Sequence, residues 1–130
     1  MKLRIRGNSI RVRMDRRDLS ELLERGHTGD EICFGPGRDR ALSYAVRIGS
    51  APRSRPQVEY SAGRLLVTID PVDAEKWRRT DDVGFDHVQV GEGDTVVRVL
   101  LEKDFACVDR PAGEEPDDAF AFPNPSVGVC

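Results

Sequence analysis

Residues 2–14, KLRIRGNSIRVRM, alternate apolar and basic side chains with a period of two, which is typical of strands with one buried face. The central Gly7-Asn8 dipeptide fits a two-residue hairpin turn with glycine at positive φ, as a type II′ turn prefers. Such a turn places Arg4 opposite Arg11. The stretch therefore predicts a β-hairpin with one apolar and one basic face.

A helix signal and two further strand patterns follow the hairpin. Asp15 is a suitable N-cap and Gly26 a suitable C-cap, which together predict a helix over residues 15–25. Strand patterns then occur at about 30–34 and 41–48. The first part of the chain thus has the order ββαββ.

The same order recurs after a connector at residues 49–56 that is rich in turn-forming residues. A shift of 55 residues superposes eight apolar positions and the helix N-cap without a gap. We therefore predict that residues 2–48 and 57–103 are two ββαββ repeats, with Leu22 and Trp77 at equivalent core positions. The match is weakest in the third strand, which predicts a local slip there.

A chain of 130 residues has the size of a single domain, so residues 1–130 are expected to form one. Two helices and eight short strands predict an α+β fold in which a curved antiparallel sheet or a closed barrel carries both helices. Residues 104–130 have no regular period and form a proline-rich, acidic C-terminal tail.

We expect this tail to be an extended segment that docks on the body through Phe120 and Phe122. Its acidic residues would then cover the basic N-terminal hairpin, and these are Glu114, Glu115, Asp117 and Asp118. A disordered acidic tail is the alternative.

Three blocks, MKLRIRGNSIRVR, VRVLLEKDFACVDRP and DDAFAFPNP, resemble a family of short bacterial proteins with no assigned activity. The resemblance runs from end to end and implies an uncharacterised protein. The chain is also distantly similar to barrels that bind polyphosphates in a tunnel lined by arginine and lysine. Those barrels carry an E-x-E-x-K strand, whereas Glu59 stands alone in QVEYS.

The net charge is only −3, but the basic residues are concentrated near the N-terminus. We expect a curved sheet to gather seven of them into an anion-binding surface: Lys2, Arg4, Arg6, Arg11, Arg13, Arg47 and Arg98. Guanidinium groups match carboxylates and phosphates with two parallel hydrogen bonds. The alternative is a solvated network in which Glu59, Glu102 and the acidic tail neutralise these cations. Nucleic acid is disfavoured because this surface has few aromatic residues for base stacking.

These observations favour a non-enzymatic domain that binds a small anion or an acidic protein surface. One alternative is a phosphohydrolase or transferase that acts on a phosphorylated substrate in a barrel cavity, with a divalent ion on Glu59 or Glu102. The other is a structural subunit. We predict no cofactor and no resident metal, because the cysteines and histidines show no ligand spacing. No catalytic residue is assigned, and the oligomeric state is left open.

We expect a cytoplasmic protein without a membrane segment. No stretch approaches the roughly 18 apolar residues that a membrane span needs, and the N-terminus lacks the apolar core of a signal peptide. Cys33, Cys107 and Cys130 are an odd number without a C-x-x-C pair, which agrees with a reducing compartment.

Overall fold

The computed structural model describes residues 1–105. In this part of the chain, two helices and eight strands follow one another in the order ββαββ-ββαββ. The strands and helices are β1 (Lys2–Arg6), β2 (Ser9–Met14), α1 (Arg16–Arg25), β3 (His27–Cys33), β4 (Ala41–Ile48), β5 (Gln57–Ser61), β6 (Arg64–Ile69), α2 (Pro71–Arg79), β7 (Gly84–Val90) and β8 (Val96–Lys103). Single 3-10 turns lie at Arg38–Arg40 and Glu92–Asp94. None of the helices in residues 1–105 has the length and apolar character needed to cross a membrane.

Both helices begin where the sequence predicts. The Asp15 carboxylate accepts hydrogen bonds from the backbone N–H groups of Arg17 and Asp18, which satisfies donors that have no partner inside α1. Gly26 ends α1 in the left-handed region, with φ of 81°, and donates its N–H to the Leu22 carbonyl. In α2 the N-cap is Asp70, with proline at the first helical position.

The strands form two separate mixed sheets. Sheet A has the order β1-β2-β8-β7 and sheet B the order β3-β4-β6-β5. The outer pairs of each sheet are antiparallel hairpins, whereas the central pairs β2–β8 and β4–β6 are parallel. The prediction of one antiparallel sheet or a closed barrel was therefore wrong. Alternation tells which side chains face the core, but it does not tell which strand lies alongside.

The first hairpin has the register that the sequence predicts. Arg4 lies opposite Arg11, and Gly7 in the turn has a positive φ of 51°. A single core lies between the inner faces of both sheets and the two helices. Its largest fully buried side chain is Trp77, whose ring packs edge-on against Phe85 at a centroid distance of 5.5 Å, and Leu22 is fully buried as well.

The central parallel pairs have corresponding registers. Ile10 pairs with Val99 in sheet A, and a shift of 55 residues carries this pair onto Leu65 and Tyr44, which are paired in sheet B. The pairing registers of the antiparallel pairs β3–β4 and β7–β8 do not correspond in this way, because they differ by two residues at the same 55-residue shift.

Two polar contacts join parts of the fold that strand pairing leaves apart. The side-chain amide of Gln89 on β7 accepts a hydrogen bond from Val58 N–H on β5 and donates one to the Val58 carbonyl, both at 2.8 Å. It therefore links the edges of sheets A and B. The buried carboxylate of Asp73 on α2 accepts from Arg53 Nε at 3.0 Å and from Ser54 N–H at 2.6 Å, which fixes the connector against α2.

Two apolar residues for which the strand patterns predict a core position are exposed, namely Ile5 on the apolar side of the first hairpin and Phe105 at the end of the last strand. Ile5 faces inward near the hairpin end but is 60% exposed, because the core does not extend to this end of β1. Phe105 follows β8 and is 59% exposed instead of closing the core. Cys33 is also exposed, at the end of β3.

The Gln89 contact leads to a prediction about stability. Replacing Gln89 with Leu removes the partners of a partly buried N–H and a partly buried carbonyl, so we expect the free energy of unfolding to fall by about 1–3 kcal/mol. Chemical denaturation would measure it. The control is Gln57→Leu, which loses one exposed hydrogen bond to Arg55 and should cost less than about 0.5 kcal/mol. Equal stability of the two variants would show that Gln89 does not hold the sheets together.

Candidate functional site

The outer face of sheet A is built by the alternation of its four strands. Residues two apart along a strand point to the same side, and the registers then set them in rows across the sheet. The three rows, in the strand order β1-β2-β8-β7, are Lys2-Arg13-Glu102-Gly84, Arg4-Arg11-Leu100-Asp86 and Arg6-Ser9-Arg98-Val88. We call this surface the basic face.

Six of the seven basic residues singled out from the sequence lie on the basic face, and Arg47 does not. Arg47 belongs to β4 in sheet B, where its guanidinium donates to Thr68 Oγ1 at 3.0 Å and to Glu59 at 3.5 Å. The expectation that one sheet gathers all seven was wrong, because the outward positions of β4 and β8 have the same pattern but belong to different sheets.

Carboxylates on or next to the basic face hold several of its cations in place. Glu102 lies between two guanidinium groups, with Arg11 Nε at 3.2 Å and Arg13 Nε at 3.9 Å. Lys2 Nζ lies 2.7 Å from the Asp104 carboxylate, just after β8 ends. Arg4 and Arg6 on the edge strand take part in interactions too.

A two-pronged contact joins Arg98 to Asp86. Arg98 donates from Nε to Asp86 Oδ1 at 2.9 Å and from Nη2 to Oδ2 at 2.6 Å, which is the two-pronged geometry that arginine prefers with carboxylates. The hydrogen bond from Arg98 lowers the pKa of Asp86, and the nearby charges of Arg98 and Arg11 add to this effect. Asp86 in turn raises the pKa of Arg98.

The cations outnumber the carboxylates on this surface. Among the described residues, six basic side chains lie on this surface, together with the carboxylates of Asp86 and Glu102 and, next to it, that of Asp104. A surface with one dominant sign of charge attracts and orients partners of the opposite sign. The basic face therefore suits an anionic partner.

An apolar patch adjoins the cations and was not found from the sequence. Val88, Val90 and Val96 lie on the same outer side of sheet A and are 52%, 65% and 48% exposed. Val90 pairs with Val96, and Val88 pairs with Arg98, so the patch begins where the charged rows end. The sequence feature that could have indicated this patch is the pair of valines, Val88 and Val90, at alternate positions of β7. We call these three residues the valine patch.

Two cavities occur in the described part of the chain. A cleft of about 580 Å³ lies on sheet B, lined by Phe34, Leu42 and Tyr60, and one of about 210 Å³ lies between α2 and the β7 edge of the basic face, where Trp77 and Asp86 line it. Within residues 1–105, no group of three or more His, Cys, Asp or Glu side chains is arranged to hold a metal ion.

The alternative of an enzyme with a barrel cavity is not consistent with this geometry. In that hypothesis Arg4, Arg6, Arg11 and Arg13 hold the phosphorylated substrate inside the cavity, but the two sheets do not close into a barrel and these arginines lie on an outer face. Glu59 or Glu102 was expected to bind a divalent ion, and in the structure Glu59 pairs with Arg47 while Glu102 pairs with Arg11 and Arg13.

The fold and this surface define an α+β domain with a charged outer sheet face. Comparison with protein families matches residues 1–126 to DUF7009, a family of unknown function. The chain belongs to this family, which confirms the predicted membership in a family without an assigned activity. A comparison with curated proteins gave no match. A comparison with solved structures gave none either.

The Arg98–Asp86 pair predicts a defined pH behaviour. Because the pKa of Asp86 is lowered in the folded protein, the pair stabilises the fold above the ordinary aspartate pKa of about 3.9. That contribution is lost as the pH falls through the folded-state pKa. Arg98→Gln should raise the pKa of Asp86 towards its ordinary value, which an NMR titration of the Asp86 carboxyl carbon would measure. Arg79→Gln on α2 is the control and should leave this pKa unchanged. An identical Asp86 titration in wild type and Arg98→Gln would contradict the assignment.

Proposed function

We propose that this protein is a binding domain whose basic face takes an acidic segment or surface of a partner protein. The observation that carries the proposal is the arrangement of six cations in three rows on the outer face of sheet A. Contacts of this kind form quickly, are salt-sensitive and select partners by charge.

The comparison of the two sheets supports a functional reason for these cations. At the 55-residue shift, five basic positions of β1 and β2 correspond to neutral or acidic residues in sheet B: Gln57, Glu59, Ser61, Leu66 and Thr68. Sheet B forms the same hairpin register without cations there. Like charges directly opposite each other destabilise an antiparallel pair, so Arg4 facing Arg11 is a cost of the fold. A bound ligand of opposite charge offsets this repulsion, which is a functional reason for these arginines.

The shape of the face favours an extended acidic partner over a small anion. Neighbouring strands are about 4.8 Å apart, and side chains on one side of a strand are about 6.7 Å apart, so the cations of β1, β2 and β8 cover roughly 10 by 13 Å. A small anion is normally held by groups that converge in a pocket. The cations here are spread over a sheet surface. No aromatic side chain occupies the three rows, which disfavours single-stranded nucleic acid because its bases would have no side chain to stack on.

The resident carboxylates help such a partner to bind. Glu102 and Asp86 hold the guanidinium groups of Arg11, Arg13 and Arg98 in defined positions before a ligand arrives. Less side-chain entropy is then lost when a partner carboxylate binds. The expected interaction is weak to moderate in affinity.

Binding of a labelled peptide of ten glutamates to the full chain tests this proposal. Fluorescence anisotropy at low salt should show binding that weakens as salt is added. We expect the double variant Arg11→Gln/Arg13→Gln to weaken binding at least about fivefold. This change corresponds to about 1 kcal/mol of binding free energy, which is the contribution expected from one or two exposed ion pairs.

The matched control is Arg78→Gln/Arg79→Gln, which removes the same charge from the exposed end of α2. It should change the dissociation constant less than about twofold. If both double variants weaken binding equally, the probe responds only to net charge and the basic face is not its site. Thermal melting of each variant verifies that it is folded.

We also infer that the two halves, residues 2–48 and 57–103, arose by duplication within one domain. The corresponding registers of the central pairs support this. The 55-residue shift also carries β1 and β2 of sheet A onto β5 and β6 of sheet B, and β3 and β4 of sheet B onto β7 and β8 of sheet A. The predicted slip in the third strand agrees with the two-residue difference between β3–β4 and β7–β8.

An experimentally determined structure of the full chain would check the duplication. We expect a single rotation to place β1, β2, α1 and β4 on β5, β6, α2 and β8, and to carry Leu22 onto Trp77. A rotation that overlays the hairpins but leaves the helices on different sides would exclude a common origin.

A further inference from the structure

The edge strand β7, on the side of the valine patch, directs part of its backbone away from sheet A. Lys103 donates its N–H to the Val83 carbonyl and Gly91 donates its N–H to the Thr95 carbonyl, so the odd-numbered residues of β7 are the ones that bond to β8. The N–H and C=O groups of the even-numbered residues point outward. Within residues 1–105, no further strand lies alongside them. Such an edge can accept a strand from another polypeptide.

The other three edge strands of the described sheets are protected against pairing with a copy of themselves. β1 has a basic residue at every second position, so a copy of β1 would bring cations face to face. β3 has Asp30 and Glu31 near its centre, and the amino group of Met1 lies 3.8 Å from Asp30. In β5 the N–H and carbonyl of Val58 are bonded to the side chain of Gln89. Charges and covered edges of this kind keep strands from pairing between molecules.

The edge of β7 is apolar where the corresponding strand of sheet B is charged. β7 and β3 hold corresponding places in the two sheets, and their pairing registers align Gly84 with His27. On this alignment Val88 stands where β3 has Glu31. Val88 is 52% exposed and Val90 is 65% exposed. An exposed apolar edge strand is a site for pairing with another chain.

We propose that β7 pairs with β7 of a second copy of this chain, antiparallel and centred on Val88. Val88 then lies opposite Val88 of the second copy, and Asp86 lies opposite Val90 of the second copy. These even-numbered residues are the ones whose backbone groups point outward. The register keeps carboxylates apart, whereas centring on Asp86 would bring two of them together and centring on Gln89 would set Asp86 opposite Glu92. The self-pairing of β7 is therefore free of the like-charge contacts that oppose it in β1 and β3.

The paired copies form one continuous eight-stranded sheet. The two-fold axis is perpendicular to this sheet, so the outer faces of both copies lie on the same side and the two valine patches meet at the axis. The contact is small, because the seven residues of β7 extend only about 24 Å. It falls below the roughly 1,200 Å² that a standard stable interface buries. The dimer is therefore reversible.

Pairing through β7 places two basic faces on one side of the dimer. β2 and β2 of the second copy are five strand spacings apart, about 24 Å. A partner with two acidic segments can then bind both faces at once, which strengthens its binding. The pairing itself goes beyond the proposed function and does not depend on it. The C-terminal tail, predicted from the sequence to dock through Phe120 and Phe122, lies outside the described residues, and the β7 contact involves none of it.

Sedimentation equilibrium of the full chain tests the pairing. Wild type should form a reversible dimer as its concentration rises from about 5 to about 500 μM. Val88→Glu introduces the residue that β3 has at the corresponding position, and it sets two carboxylates against each other at the two-fold axis. We expect it to raise the dissociation constant of the dimer at least about tenfold.

The matched control is Val72→Glu on α2, which changes a valine of similar exposure, 54%, in the same way. It should leave the dissociation constant within about twofold of wild type, because Val72 lies outside the β7 edge. Thermal melting of both variants verifies that they are folded.

Amide hydrogen exchange in wild type gives a second measurement that needs no variant. The amides of Asp86, Val88 and Val90 should exchange at least about fivefold more slowly at high than at low protein concentration, because they donate to carbonyls of the second copy. The outward-pointing amides of Gly29 and Glu31 on β3 are the internal control and should exchange at the same rate at both concentrations.

These measurements decide the proposal together. A concentration-dependent dimer that Val88→Glu weakens and Val72→Glu does not, with slowed exchange along β7, supports it. A wild type that stays monomeric at about 500 μM overturns it. Equal weakening by both variants, or slowed exchange at Gly29 and Glu31 instead of β7, also overturns it, because another surface then joins the copies. None of these results depends on binding of the ten-glutamate peptide, so the proposed function is tested separately.

Discussion

The parallel pairing of β2 with β8 is the interaction on which the rest of this structure depends. It joins a hairpin near the start of the chain to one almost ninety residues later, with Ile10 beside Val99. Without it, Glu102 would not lie between Arg11 and Arg13, and the Arg98–Asp86 pair would not border the N-terminal arginines. The backbone of the Gly7-Asn8 turn is held by the same pairing, because Arg98 donates its N–H to the Asn8 carbonyl. The basic face is therefore a product of long-range topology.

Local features of this fold could be predicted from the sequence because they depend on neighbouring residues. The cap at Asp15, the turn at Gly7 and the strand at Ala41–Ile48 each have a signal within a few positions. Membership of β4 and β8 in different sheets has no such signal, since both strands have the same alternation. For this reason the position of Arg47 could not be predicted, whereas the facing of Arg4 and Arg11 could.

The two outer faces show how one backbone plan supports two surfaces. Sheet A collects cations and exposed valines, while the outward positions of β5 and β6 in sheet B are mostly neutral. The inner faces of both sheets share one core that includes Trp77 and Leu22. Selection for stability acts on the shared interior, and the outer faces are free to differ. The valine patch was missed because exposed valines on a strand have the same sequence pattern as buried ones.

The displacement between the third strands has a further consequence for how this chain tolerates insertions and deletions. Arg47 on β4 corresponds to Glu102 on β8 at the 55-residue shift. Arg47 pairs with His27, whereas Glu102 pairs with Gly84, which corresponds to position 29 and so lies two residues later in the third strand. The loop before β8 has five residues, and the loop before β4 has seven. A shift by an even number keeps every side chain on its own side of the sheet, whereas a shift by one would turn Phe85 outward and Asp86 into the core. The third strand of each half can thus change length only in pairs of residues, with its hairpin loop absorbing the difference.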